Sequence, residues 1–159
     1  MPKRYLAMGV SALIFDFDGT LARQTLDYSI MKREAIKAVR EFVHISDRPD
    51  LPTMELLDLV DTSTEKGDKA LKAALAAIQR VEIEAAKKSG LFPFVRPMLA
   101  RFRELGLTMG IVTRNCHEGV TTVFPDVYDH GIVLTRDDVP KIKPDPAHLE
   151  AAQIGRAHV

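Results

Sequence analysis

The chain has 159 residues, with 22 basic and 22 acidic side chains that leave no net charge. That neutrality removes the basic footprint expected of a nucleic-acid or anionic-membrane binder. Hydrophobic residues make up 46% and charged residues 28%, enough for one globular domain with room for an inserted subdomain. The single Cys116 excludes an internal disulfide and a cysteine-based zinc site, and it fits a reducing compartment. No apolar run approaches the roughly 20 residues of a membrane span, and "MPKRYLAMGV" lacks a signal-peptide core. The expectation is a cytoplasmic chain without nucleic-acid or membrane partners.

In chain order, Val10 to Phe15 is a short apolar run between Gly9 and Gly19, which suits a buried parallel strand. A long polar-rich middle follows. Met31, Ala35, Val39 and Phe42 recur at helical spacing, and "RPDLP" is turn chemistry. "TMELLDLVDTSTEKGD" reads as a second, shorter helix ending near Gly67. A third helix follows, capped by Asp68, faced by Leu71, Leu75 and Ile78, and closed by Lys87, Lys88 and Gly90. After Pro93 the rhythm changes. "VRPMLARFRELG" is an amphipathic helix, "LTMGIVT" a strand, "NCHEGVTTVF" a short helix and "GIVLT" another strand. Alternating strands and helices imply βαβ units and a parallel sheet, so the class is α/β. The organisation is a discontinuous α/β core, residues 1–21 and 93–159, interrupted by an all-helical insertion over 22–92.

The chemistry concentrates in "LIFDFDGTLA". Carboxylates at the end of an apolar strand cost free energy unless something pairs with them. Asp16 and Asp18 are two residues apart, which in extended backbone puts both on one side and Phe17 on the other. They fall where the strand ends, the place where open α/β sheets bind ligands. Gly19 permits a sharp turn, after which N–H groups can face an anion. Two carboxylates so close, beside a potential anion site, suit a phosphate with a hard cation such as Mg²⁺.

"DFDGTL" resembles the first motif of the haloacid dehalogenase superfamily, chiefly phosphatases with an aspartate nucleophile. Two further motifs of that family follow in order: Thr113 in "GIVTRN" ends the next strand, and Lys143 in "KIKPDP" carries the matching prolines that its neighbour Lys141 lacks. The resemblance implies a Rossmann-like parallel core with a helical cap after the first strand, as in phosphoglycolate-phosphatase-like members. It implies Asp16 as nucleophile, Asp18 as general acid and base, and Mg²⁺ held by the Asp16 carboxylate and the Asp18 carbonyl. Gly19, Thr20, Thr113, Arg114 and Lys143 would bind the phosphoryl group of a small phosphorylated metabolite. The fourth motif, G-D-x-x-x-D ending one more strand, does not occur in "PAHLEAAQIGRAHV". Two readings stay open: a truncated or altered product, which the tail "GRAHV" favours, or a homo-oligomer that covers the first strand's edge. Weak turnover is the expectation from this chain alone. The alternatives are a phosphosugar mutase-like phosphotransferase and a non-catalytic fragment that binds phosphate or self-associates.

Among the remaining residues, Arg114 and Asn115 suit substrate contact or a turn, and Arg136 and Asp137 suit loop structure. Cys116 suits a buried thiol. His117 is the one histidine expected near the site, as a surface residue. Arg23, Tyr28 and Lys32 could face substrate, with nothing to separate them from ordinary exposed residues.

Overall fold

The computed structural model describes residues 9–23, 25–46 and 48–155, the side chains of 153–155 excepted. The N-terminal eight residues and the tail "RAHV" lie outside the described residues. Three short apolar runs form a parallel sheet: β1 (Ala12–Phe15), β2 (Thr108–Val112) and β3 (Ile132–Leu134), in the order β1-β2-β3. Register pairs Ala12 with Thr108 and Phe15 with Ile111, then Gly110 with Ile132 and Val112 with Leu134. All three strands therefore end at the same side of the sheet.

Central and edge strands differ as their burial requires. Met109, Gly110, Ile111 and Val112 of β2 are all buried, as expected of a parallel strand covered on both faces. β1 departs from the buried strand expected from its sequence. It lies at the edge of the sheet, it is shorter than Val10–Phe15, and its Ile14 is 45% exposed. Phe15 is tied down by stacking on Phe102, with ring centroids 6.1 Å apart.

The helix α4 (Val95–Glu104) buries Val95 and Leu99 in the core beside β2, and Gly106 at φ 72° follows its end. The short helix α5 (His117–Val123) starts at Cys116, whose Sγ accepts the Gly119 amide. A 3₁₀ turn at Val127–His130 leads into β3, and α6 (Ala147–Gly155) packs on β2 and β3. The α/β core itself is Phe17, Leu21, Ala22, Val95, Leu99, Met109, Ile111, Val120, Phe124, Val127 and Val133. Phe17 is fully buried, and burial of a ring that size contributes about 2–3 kcal/mol. It anchors the loop between the two aspartates.

The other compact unit, Thr25–Ala85, is helical. Its first helix α1 (Tyr28–Arg40) is capped by Asp27, whose Oδ1 accepts the Ser29 and Ile30 amides at 2.9 and 3.2 Å. The Ser29 hydroxyl donates to the same oxygen at 2.6 Å, and it, ahead of the two amides, holds the Asp27 carboxyl below the usual carboxylate range. Met31, Ala35 and Val39 bury as spaced, but α1 stops before Phe42, which stays partly exposed. The second helix, α2 (Thr53–Leu57), is far shorter than its sequence suggests. Gly67 does not end it. Thr64 Oγ1 accepts the Gly67 amide at 3.0 Å, the bond of an N-cap, and α3 (Glu65–Ala86) begins there. Asp68 is thus inside the first turn of α3. The buried seam of α3 is Ala70, Ala74 and Ile78, with Leu71 and Leu75 only partly buried beside it. Ala70, Ala74 and Ile78 share one buried cluster with Val39 and Leu56.

Back in the α/β unit, the segments that lead to and from the helices pair with each other: Arg23 N–H donates to the Gly90 carbonyl, and Phe92 N–H to Leu21. Gly90 therefore serves this pairing four residues after α3 ends.

Gly131 carries a backbone constraint that no other residue meets. Its φ is 144°, and a Cβ there would collide with the Met109 carbonyl of the adjacent strand. Gly131→Ala is expected to destabilise the fold by about 2–4 kcal/mol in urea unfolding. Gly90, with open space around its Cα, should tolerate alanine within about 1 kcal/mol. Equal losses from the two substitutions would contradict this account.

Candidate active site

The sheet's parallel register delivers three loops to one place. The first follows β1 and carries Asp16 and Asp18. The second follows β2 and carries Thr113, Arg114 and Asn115. The third follows β3 and carries Lys143. Lys143 Nζ donates to Asp16 Oδ1 at 2.8 Å and to the Val112 carbonyl at 2.8 Å. The latter is the last carbonyl of β2. Lys141 lies elsewhere, 3.6 Å from Asp145. The two lysines of "KIKPDP" are therefore distinguished by what they reach.

Asp16 Oδ1 also accepts the Phe17 amide at 2.9 Å. Among the described residues Asp16 Oδ2 has no hydrogen-bond partner, and half of the side chain is exposed. One oxygen is fixed by an ammonium and an amide while the other stays open. That is a useful arrangement for a nucleophile, because the fixed oxygen orients the free one.

Asp18 is held differently. Asn115 Nδ2 lies 3.2 Å from both of its carboxylate oxygens, and the Thr113 hydroxyl is 3.4 Å from Oδ2. Asn115 Oδ1 in turn accepts the Cys116 amide at 2.8 Å, and its own N–H donates to Thr113 Oγ1 at 3.0 Å. The amide group is thus oriented by the start of α5, with its NH₂ turned to Asp18. The sequence left Asn115 between substrate contact and turn; the structure gives it the second carboxylate. The cue in the sequence was its place two residues after Thr113, the threonine that follows β2.

The loop after Asp18 is closed on itself. Gly19, at φ 76°, donates its N–H to the Ala22 carbonyl at 2.8 Å, and the Thr20 N–H lies 3.2 Å from the Phe17 carbonyl. Both amides are engaged within the turn rather than turned outward as donors to an anion. The Arg114 N–H has no partner among the described residues, its side chain is exposed, and its carbonyl accepts from Arg136 Nη1 at 3.3 Å. Arg136 N–H donates to the Asn115 carbonyl, and Asp137 accepts the His117 amide at 2.8 Å. Those two residues brace the loops.

His117 stacks on Tyr128, with Nδ1 2.8 Å from the phenol oxygen. It is not the histidine nearest the site. His148 is fully buried, and its Nδ1 accepts the Lys143 amide at 3.2 Å. In the helical unit, Lys32 does not present its charge outward. Its ammonium donates to the carbonyls of Arg48, Pro49 and Leu51 at 2.7, 3.3 and 2.6 Å, closing the loop before α2.

The oxygen donors here are few. Among the described residues no three histidine, cysteine or acidic side chains gather around one point. What remains for a cation is the open oxygen of Asp16, a hard donor that leaves the other positions to water. Mg²⁺ accepts such a site, since it keeps several waters and takes one or two carboxylates plus phosphate oxygens. A cage for Ca²⁺ would need more ligands.

The strand ends of this parallel α/β sheet thus gather a half-open carboxylate, a second hydrogen-bonded carboxylate, a hydroxyl and an ammonium where open α/β sheets bind ligands. A family model for haloacid dehalogenase-like hydrolases matches residues 13–154, and the chain belongs to that family. No curated protein matches it in sequence. Solved structures share the fold. A HAD phosphatase from Thermococcus onnurineus is 21% identical with a TM-score of 0.55, over 93% of this chain and 72% of that one. A predicted phosphoglycolate phosphatase from Haemophilus somnus is 17% identical with a TM-score of 0.55, over 94% and 72%. CbbY from Rhodobacter sphaeroides, in complex with phosphate, is 16% identical with a TM-score of 0.55, over 93% and 73%. Among the described residues no helix is long and apolar enough to cross a membrane.

Replacing Asn115 with aspartate would set two carboxylates side by side. Like charges raise the pKa of one, so the folded state then binds a proton more readily than the unfolded chain. Asn115→Asp should therefore be less stable than wild type by about 2–3 kcal/mol at pH 7. The deficit should shrink as pH falls toward the ordinary carboxylate range. A deficit independent of pH in paired thermal melts would contradict the Asp18 contact.

Proposed function

We propose that this chain is built as a Mg²⁺-dependent phosphatase of small phosphorylated metabolites working through an aspartyl-phosphate. The carrying observation is the 2.8 Å Lys143–Asp16 pair, with the second oxygen of Asp16 open. In this reading Asp16 Oδ2 attacks phosphorus, and the bond to the ester oxygen breaks as the new P–O bond forms. Asp18, turned by Asn115, gives the leaving oxygen its proton and later takes one from the water that releases phosphate. Lys143 offsets the charge that gathers on the transferring oxygens, with the Thr113 hydroxyl and the Arg114 N–H beside it. Mg²⁺, held by the Asp16 carboxylate and the Asp18 carbonyl, would supply further neutralisation of phosphate charge. Support also comes from membership of the hydrolase family and from the likeness of the fold to structures described as phosphatases.

Hydrolysis of an aryl phosphate with Mg²⁺ tests the roles. Asp16→Asn should abolish turnover, Lys143→Ala should lower kcat by about 10²–10³-fold, and Lys141→Ala should leave it within about twofold. Beryllium trifluoride, which mimics a phosphoryl group on a carboxylate, should raise the melting temperature of the wild type and not of Asp16→Asn. Stabilisation of both proteins alike would remove Asp16 as the nucleophile.

A further inference from the structure

The loop that carries Lys143 has few means of holding itself in place. Pro144 and Pro146 have no amide hydrogen to give. Within it the Asp145 N–H donates to the Ile142 carbonyl and the Ala147 N–H to Asp145 Oδ1, Lys141 pairs with Asp145 at 3.6 Å, and the His148 N–H lies 3.4 Å from the Asp145 carbonyl. The Lys143 amide reaches outside the loop, to Nδ1 of His148 at 3.2 Å. The other ring nitrogen of His148, Nε2, lies 3.3 Å from the Leu134 carbonyl at the end of β3.

These partners decide the protonation state. A backbone N–H can only donate, so Nδ1 must offer a lone pair. A carbonyl can only accept, so Nε2 must carry the hydrogen. Both bonds are satisfied by the neutral Nε2–H tautomer alone. An imidazolium would turn a second N–H against the Lys143 amide and break that bond. The charged groups that bear on the ring are Lys143, which disfavours its protonation, and Asp138, which favours it. Burial outweighs them and pushes the pKa of His148 below its ordinary value.

We propose that His148 is a positioning residue: as a buried neutral imidazole it ties the Lys143 backbone to the end of β3 and so sets where the ammonium sits, and its protonation releases that ammonium. The role given to Lys143 rests on the phosphatase reading; the link between His148 and Lys143 does not. For a base whose folded pKa is lowered, the anchored state is complete above the ordinary histidine pKa of about 6.5 and is lost as pH falls through the folded value.

Nitrogen-15 NMR of the intact chain tests the link directly. The His148 ring should show the Nε2–H tautomer and titrate below pH 6.5, and the Lys143 amide should shift with the same midpoint. An ordinary His148 titration, or a Lys143 amide that ignores it, would overturn the proposal. Binding of inorganic phosphate with Mg²⁺ by calorimetry gives the functional arm, since phosphate's own titration is common to every variant. His148→Leu should weaken binding about tenfold, the scale expected when a charged group is displaced by a fraction of an ångström. His148→Asn, whose Oδ1 can accept the Lys143 amide, should restore affinity and remove the acid-side loss that distinguishes the wild type. Affinities of His148→Leu equal to wild type at every pH would also overturn it. If the wild type binds no phosphate at all, the phosphatase reading falls, and the NMR result alone decides the link.

Discussion

An ammonium and a carboxylate 127 residues apart in sequence meet at 2.8 Å, and the proposed chemistry depends on that meeting. Neither group is deeply buried: the Asp16 side chain is half exposed and that of Lys143 a quarter. Solvent screening makes such a pair a weak source of stability. Its value lies in position. The same lysine also grips the last carbonyl of β2, so the charge is referenced to the sheet as well as to the carboxylate.

Around that pair the fold supplies rigidity where the chemistry needs it. Phe17 is sunk into the core between two aspartates, and α5 fixes the amide of Asn115 through Cys116. The two carboxylates are thus oriented by packing on one side and hydrogen bonds on the other. Asp16 keeps one oxygen open while Asp18 has donors on both. Two chemically identical side chains thus sit in different hydrogen-bond surroundings.

Much of this was legible in the residues. Alternation put Asp16 and Asp18 opposite Phe17, and the burial of Phe17 follows that alternation. The prolines after Lys143 separated it from Lys141, and the run from Thr108 to Val112 read as a strand. What was not legible depended on long-range geometry. Nothing in "PDPAHLE" says that its histidine turns inward to the lysine's own amide. The sequence put Leu71, Leu75 and Ile78 on the inner face of α3, whereas Ala70 and Ala74 join Ile78 in the buried cluster. Lys32 read as a surface cation because three backbone carbonyls that converge on it leave no trace in composition. The edge position of β1 likewise follows from strand order, which periodicity does not encode.

Parallel pairing between β1 and β2 has a consequence for the order of assembly. Ala12 finds Thr108 only after nearly a hundred intervening residues are available, whereas α1, α2 and α3 draw on neighbours within Thr25–Ala85. Closing so long a loop costs entropy before any reward arrives. As the polypeptide leaves the ribosome, the helices can therefore settle early. The first aspartate must wait, synthesised but without a partner, until the lysine that completes its surroundings has been made.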